Sequence, residues 1–198
     1  CERPYDFSRA NLFRKYGARW FETFAELEHV RLRSWGLNTI ANSSDKRICL
    51  MGRTPYTDRF ELKSRPLAGS HDGWWPFRDP FDPSFREDVR RQMQIHKQEM
   101  EDPWCFGFFV DNELSWGGPT DLGAWTLASP ADQPAKAEFR TRMRAKYETV
   151  EKLNAAWGTA YADWEAFLTA TARPGKGADG DLAAFSLEIT EGYYRGIR

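Results

Sequence analysis

The stretch PWCFGFFVDNELSW, residues 103–116, decides how this chain is to be read. Cys105 to Val110 is an unbroken apolar run of strand length, the pattern of a buried strand. It runs straight into Asp111, Asn112 and Glu113, and Trp116 follows. A carboxylate taken out of water is costly unless it is paired or hydrogen-bonded. Two acids and an amide at the end of a buried strand therefore need a reason. Two are open: the three residues begin a solvated loop, or they are functional groups set at a strand end. Strict alternation puts Asp111 and Glu113 on one face and Asn112 on the other. Asn112 and Glu113 can share a ligand only if the strand bends where it ends.

Outward from this point the elements alternate. Upstream, Asp82-Pro83 opens a helix with a capping acid and a proline at the first position, and this helix is expected to run to about Glu101. Before it, Lys63 to Asp82 is a long loop carrying Trp74, Trp75, Phe77 and Phe81. Loops of this length are functional or disordered, and four aromatics argue against disorder. A strand is expected over Tyr56 to Leu62, and a short helix over Asp45 to Met51, capped by Ser43 or Ser44 and closed by Gly52. Another strand is expected over Leu37 to Ala41. Phe21, Phe24, Leu27, Val30 and Leu32 predict a helix from Arg19 to Trp35, stopped by Gly36. Residues 1–18 read as an irregular lead-in. Downstream of Trp116 a loop is expected up to about Gln133, then a helix over 134–150, two short helices broken at Gly158, and a last helix from Leu182 towards Arg198. Gly192 and Gly196 weaken its final turns. Helices alternating with strands in this order predict an α/β fold with a parallel sheet and right-handed crossovers. The polar, aromatic loops follow strands, at the ends where such folds put their sites.

Composition narrows the function. The chain has 198 residues, enough for one domain with a core, and a net charge of -1 from 28 basic and 29 acidic side chains. That balance argues against a nucleic-acid partner, which needs clustered positive charge. No apolar run is long enough to span a membrane, and no charged-then-apolar leader opens the chain. Of three cysteines, Cys49 and Cys105 sit in apolar runs as buried free thiols, and no C-x-x-C or H-E-x-x-H spacing suggests a metal. The excess is aromatic: nine Trp, more than an ordinary core requires. Exposed aromatic faces suit flat apolar ligands such as sugar rings. An aromatic-rich core is the plainer account of any one of them.

At the strand end the resemblance becomes specific. FFVDNELSWGG, residues 108–118, resembles the fourth-strand motif of the retaining glycosidases built on (β/α)8 TIM barrels. Within that clan, an ordered set of stretches resembles the family-50 β-agarases, with the family-42 β-galactosidases next. They are FRKYG, RLRSWGLNTIANSSD, TPYT, PFDPSF, VDNELSWG and LNAAWGTAYADWEAF, and they span most of residues 13–168. The resemblance implies a glycoside hydrolase acting on β-galactosidic links, in agar or in smaller galactosides, without a cofactor. It implies that Glu113 is the acid/base and that Asn112 binds the hydroxyl beside the reacting carbon. It also implies a nucleophilic Glu on a later strand. No such residue stands in a matching context here; Glu188 and Glu191 lie on the last helix and read as surface. The expected architecture is thus part of a (β/α)8 TIM barrel, about strands 2 to 4 with their helices and then a helical segment, with residues 1–198 one incomplete catalytic domain. Such a piece alone would lack turnover. Agar-degrading relatives also imply a secreted or periplasmic place.

Further substrate-binding candidates follow from position. Trp116, Trp74 and Trp75 could stack on sugar; His71, with Asp72, lies in the aromatic loop; Asn42 and Asp45 follow a strand on the face expected for Glu113. Asp45 could equally do no more than start a helix. His29, His96 and the run Arg140, Arg142, Arg144 and Lys146 read as structural or solvated. The competing function classes are a non-catalytic carbohydrate-binding protein that reuses the aromatic face, and a degenerate barrel with no ligand. A binder does not need a protonatable Glu113.

Overall fold

The computed structural model describes residues 5–70 and 75–198, which divide into two compact units. The first is Cys1–Arg59 with Lys97–Phe109, the second Phe60–His96 with Val110–Arg198.

The first unit opens with a helix where an irregular lead-in was expected. Helix α1 (Phe7–Tyr16) is capped by Asp6, whose carboxylate accepts the Arg9 N–H at 2.9 Å. It buries no side chain, so it has no apolar stripe to announce it. Helix α2 (Trp20–Ser34) follows the expected spacing and buries Ala25 and His29. Gly36 stops it with φ 75°, while its N–H reaches Arg33 O at 3.1 Å and that of Leu37 reaches Leu32 O at 2.8 Å. The strand expected over Leu37 to Ala41 shrinks to Ile40, bridged in parallel to Tyr56. Helix α3 (Lys46–Cys49) is capped by Asp45, not by Ser43 or Ser44. Ser43 is spent on the turn, at φ 68°, whereas Asp45 is extended and its carboxylate accepts the Arg47 N–H.

Strand β1 (Tyr56–Phe60) is two residues shorter than expected and buries alternate side chains. Strand β2 (Cys105–Val110) has its expected bounds. Tyr56 N–H donates to Trp104 O and Asp111 N–H to Phe60 O, so partner numbers rise together and the pair is parallel. The α/β class and parallel pairing agree with the sequence; the burial of β2 does not. Phe106 is 64% and Phe109 53% exposed, and Cys105 is only partly buried. Among the described residues β2 pairs with β1 alone, which leaves it an open edge and little cover. The core of this unit is Ala25, Ile40, Ile48, Cys49 and Tyr56, with Phe21 and Phe24 against it.

The second unit is mainly helical. Its long loop is strapped by an antiparallel bridge, Pro66 to Arg78, with Leu67 N–H on Phe77 O at 2.8 Å. Helix α4 (Pro83–Ile95) begins as expected, Asp82 accepting the Ser84 N–H at 2.9 Å. It breaks at His96 instead of running to Glu101, and α5 (Lys97–Glu101) starts afresh in the first unit. Helix α6 (Asp121–Ala128) occupies a span read as loop. Its Leu122, Gly123, Ala124, Thr126 and Leu127 are all buried, so it is apolar all round and lacks the one-sided period that sequence reading relies on. Helices α7 (Pro134–Tyr147), α8 (Val150–Trp157), α9 (Trp164–Thr169) and α10 (Asp179–Gly196) complete it. Phe139 is the hub, stacked on Phe185 at 4.3 Å and near Trp157 and Phe167. The glycines near the end of α10 do not weaken it. At Gly196 a Cβ would lie 2.4 Å from the Phe85 ring, so the glycine there permits close packing. Among the described residues, no helix is long and apolar enough to cross a membrane.

Candidate active site

The second unit contains the strand end that opened the question. Just past β2, Asp111 has φ 59° and Glu113 φ 50°. Left-handed backbone is tolerable for Asp and uncommon for Glu, and it persists only where surroundings enforce it. These two residues supply the bend that strict alternation forbade, with Asn112 between them.

The enforcing group is Asp111, the buried acid of the three. It is 8% exposed. One carboxylate oxygen accepts the Leu62 N–H at 2.7 Å and the other the Tyr193 hydroxyl at 2.8 Å. Burial pushes its carboxyl pKa upward, and the bonds from Leu62 and Tyr193 with the charge of Arg78 only partly offset that. Burial, and then the Asp111 charge, push the Tyr193 hydroxyl upward too. The reason sought for a buried acid is therefore a backbone amide and a phenol. Sequence reasoning missed this pairing. The available signal was the stripe Leu182, Phe185, Ile189 and Tyr193 on α10, which puts a phenol on a core face where its hydroxyl needs a partner.

Asn112 and Glu113 are exposed. In these 198 residues Glu113 faces water. Trp116 is partly exposed. Its ring meets Phe77 edge-on at 4.9 Å and Tyr193 at 5.7 Å, and stacks on Tyr194 at 5.8 Å. Trp75 is half-exposed, and its carbonyl accepts the Ser115 N–H at 3.1 Å within a parallel bridge to Leu114. That bridge ties the aromatic loop to the strand end. A cleft of about 40 Å³ opens among Trp75, Arg78, Asn112 and Leu114.

Of the other candidates, His71 and Trp74, with Asp72, lie outside the described residues. Asn42 sits in the first unit, partly exposed in the turn after Ile40. His29 is structural: it is buried, its Nδ1 lies 2.9 Å from Thr54 Oγ1, and burial lowers its pKa. Glu188 pairs with Arg142 at 3.0 Å and Glu191 with Arg195 at 2.8 Å, both as surface groups. Arg140 pairs with Glu165 and Lys146 with Asp181.

An exposed carboxylate and amide thus stand on a bent turn just past a parallel strand, with Trp116 three residues on. Comparison with known proteins sharpens this. Beta-agarase B of Vibrio sp. (strain JT0107) is 35% identical over 182 residues, covering 82% of this chain and 18% of that protein. Beta-agarase A of the same strain is 31% identical over 185 residues, covering 81% and 18%. Among solved structures, the agarase AgWH50C superposes with a TM-score of 0.86 at 28% identity, covering 98% of this chain and 30% of that one. An exo-beta-agarase superposes at 0.87 with 25% identity, covering 98% and 28%. No family model matches. The chain is thus family-50 β-agarase-like in sequence and in fold over most of its length, as the motifs implied. It spans 18% of the length of the two curated relatives.

Proposed function

We propose that these residues are the part of a retaining β-agarase that carries its acid/base. In this reading they form about strands 2 to 4 of a (β/α)8 barrel and belong to one catalytic domain. Glu113 protonates the leaving oxygen of a β-galactosidic link in an agar-type chain and later activates water. Asn112 holds the hydroxyl next to the reacting carbon. Trp116 and Trp75 offer faces for sugar rings, and His71, Trp74 and Asn42 contact substrate. The nucleophile, about 5–5.5 Å from the acid in retaining enzymes, comes from outside these 198 residues, so they have no turnover alone. The observation that carries the reading is the turn itself: two left-handed residues flank Asn112 and turn the chain beside the end of a parallel strand. Similarity to β-agarases over most of the chain supports it.

The test replaces Glu113 by Gln in the full-length protein. A general acid contributes about 10²- to 10⁴-fold. Hydrolysis of an agaro-oligosaccharide should fall by that order, because its leaving group needs a proton. An aryl β-galactoside with a good leaving group should lose much less in its first step, read as a burst. Small, equal losses on both would remove Glu113 as the acid and favour a carbohydrate-binding role for the strand end.

A further inference from the structure

We infer that Asp111 and Tyr193 are positioning residues for Glu113, an inference that rests on the acid/base reading above. Four observations meet on this pair. First, Glu113 stands two residues after Asp111, and both have positive φ, 50° and 59°. Such backbone is strained and relaxes unless something holds it. Second, the Asp111 carboxylate is the holder. Its oxygens are divided between the Leu62 N–H at 2.7 Å and the Tyr193 hydroxyl at 2.8 Å, and its own N–H donates to Phe60 O at 2.9 Å. Third, the Tyr193 hydroxyl is itself fixed. Its ring sits 5.3 Å from Phe77 and 5.6 Å from Phe85, so α10 delivers it from a packed core. Fourth, the same ring borders Trp116 at 5.7 Å.

One tyrosine on α10 therefore touches the anchor of the turn and one of the aromatic rings after it. Neither Asp111 nor Tyr193 is assigned a proton-transfer role. A carboxylate is better than an amide at Asp111, because a hydrogen bond to a charged acceptor is shorter and about twice as strong as a neutral one. The bonds from Leu62 and Tyr193 offset part of the cost of burying that charge. Mispositioning a catalytic group by about 1 Å can cost on the order of a hundredfold in rate. The pair thus fixes where the Glu113 carboxyl stands relative to a bound glycosidic oxygen.

The experiment uses the full-length protein with Tyr193→Phe, which removes one oxygen and keeps the ring. Hydrolysis of an agaro-oligosaccharide and the burst on an activated aryl β-galactoside are compared. Expected is a fall of about ten- to a hundredfold in kcat on the oligosaccharide, with KM nearly unchanged and a burst much less affected. This is a smaller copy of the Glu113→Gln pattern. A merely structural role would lower both substrates alike through loss of folded protein. Equal losses, or kcat within about twofold of wild type, would overturn the positioning role while leaving the acid/base reading to stand on Glu113→Gln alone. If Glu113→Gln itself shows no leaving-group dependence, both fall. Asp111→Asn is the second variant. Asparagine keeps an oxygen for Leu62 and tolerates left-handed backbone, so the fold should survive. It should repeat the Tyr193→Phe pattern, and wild-type kinetics from it would overturn the proposal.

Discussion

Helices α1 and α2 bury only Ala25 and His29, and α1 carries its rings outward: Phe7 and Phe13 are both exposed. Helices α7 to α10 do the opposite. Phe139, Trp157, Phe167 and Phe185 are buried against one another, with Leu153, Leu182 and Ile189. The two helical regions differ less in composition than in where their apolar groups go. In the first, α1 is held by local devices: the Asp6 cap, and Arg9 over the Trp20 ring at 5.7 Å. The second is held by packing, which gives most of the stability of helices in proteins. The turn that carries Glu113 is tied to the packed region, through Tyr193 on α10.

The largest effect on stability should come from Phe139→Ala. Replacing a fully buried phenylalanine costs about 3–5 kcal/mol, and Phe139 also loses its stack on Phe185. Urea denaturation of the 198-residue chain checks this. A loss below about 1 kcal/mol would break the contrast, because the packed region would then not be held by its rings.

A smaller effect, dependent on pH, is expected at Lys136. Its ammonium is buried in the same region and donates to the carbonyls of Ser129 at 2.6 Å and Ala170 at 2.7 Å. Burial pushes its pKa down to about 8. Between that value and the ordinary lysine value the unfolded chain holds a proton that the folded chain has released, so stability rises with pH across this window. Lys136→Met removes that rise. Urea midpoints of wild type and variant at about pH 7.5 and 10 should diverge in favour of wild type at the higher pH. Parallel midpoints would mean that the two carbonyls keep the ammonium charged.

The same contrast explains what could be read in advance. β2, the start of α4 at Asp82-Pro83 and the position of Asn112 and Glu113 were legible because each has a short-range cause: an apolar run, a cap and a break in hydropathy. Helix α1 was not, since a helix that buries nothing has no stripe. Helix α6 was not, since apolar residues on nearly all of its sides leave no one-sided stripe either. The Asp111–Tyr193 bond joins residues 82 apart, and no local pattern spans that distance. Each partner alone announced a need, a buried acid at a strand end and a phenol on a core face, yet only the fold shows that they meet each other's.

The smallest expected effect is at Phe13. It is 54% exposed, on a helix with no buried residue. Exposed substitutions away from caps and cores usually change stability by less than about 0.5 kcal/mol. Phe13→Ala should therefore leave the urea midpoint of the 198-residue chain unmoved. Hydrogen exchange of the α1 amides should be fast in both forms, since such a helix opens without disturbing a core. A loss of more than about 1 kcal/mol, or slow exchange across Phe7–Tyr16, would show that α1 buries its rings in solution. The local cap and cation–π contact would then not account for its stability, and the distinction between a locally held and a packed helical region would fail at the helix where it is sharpest.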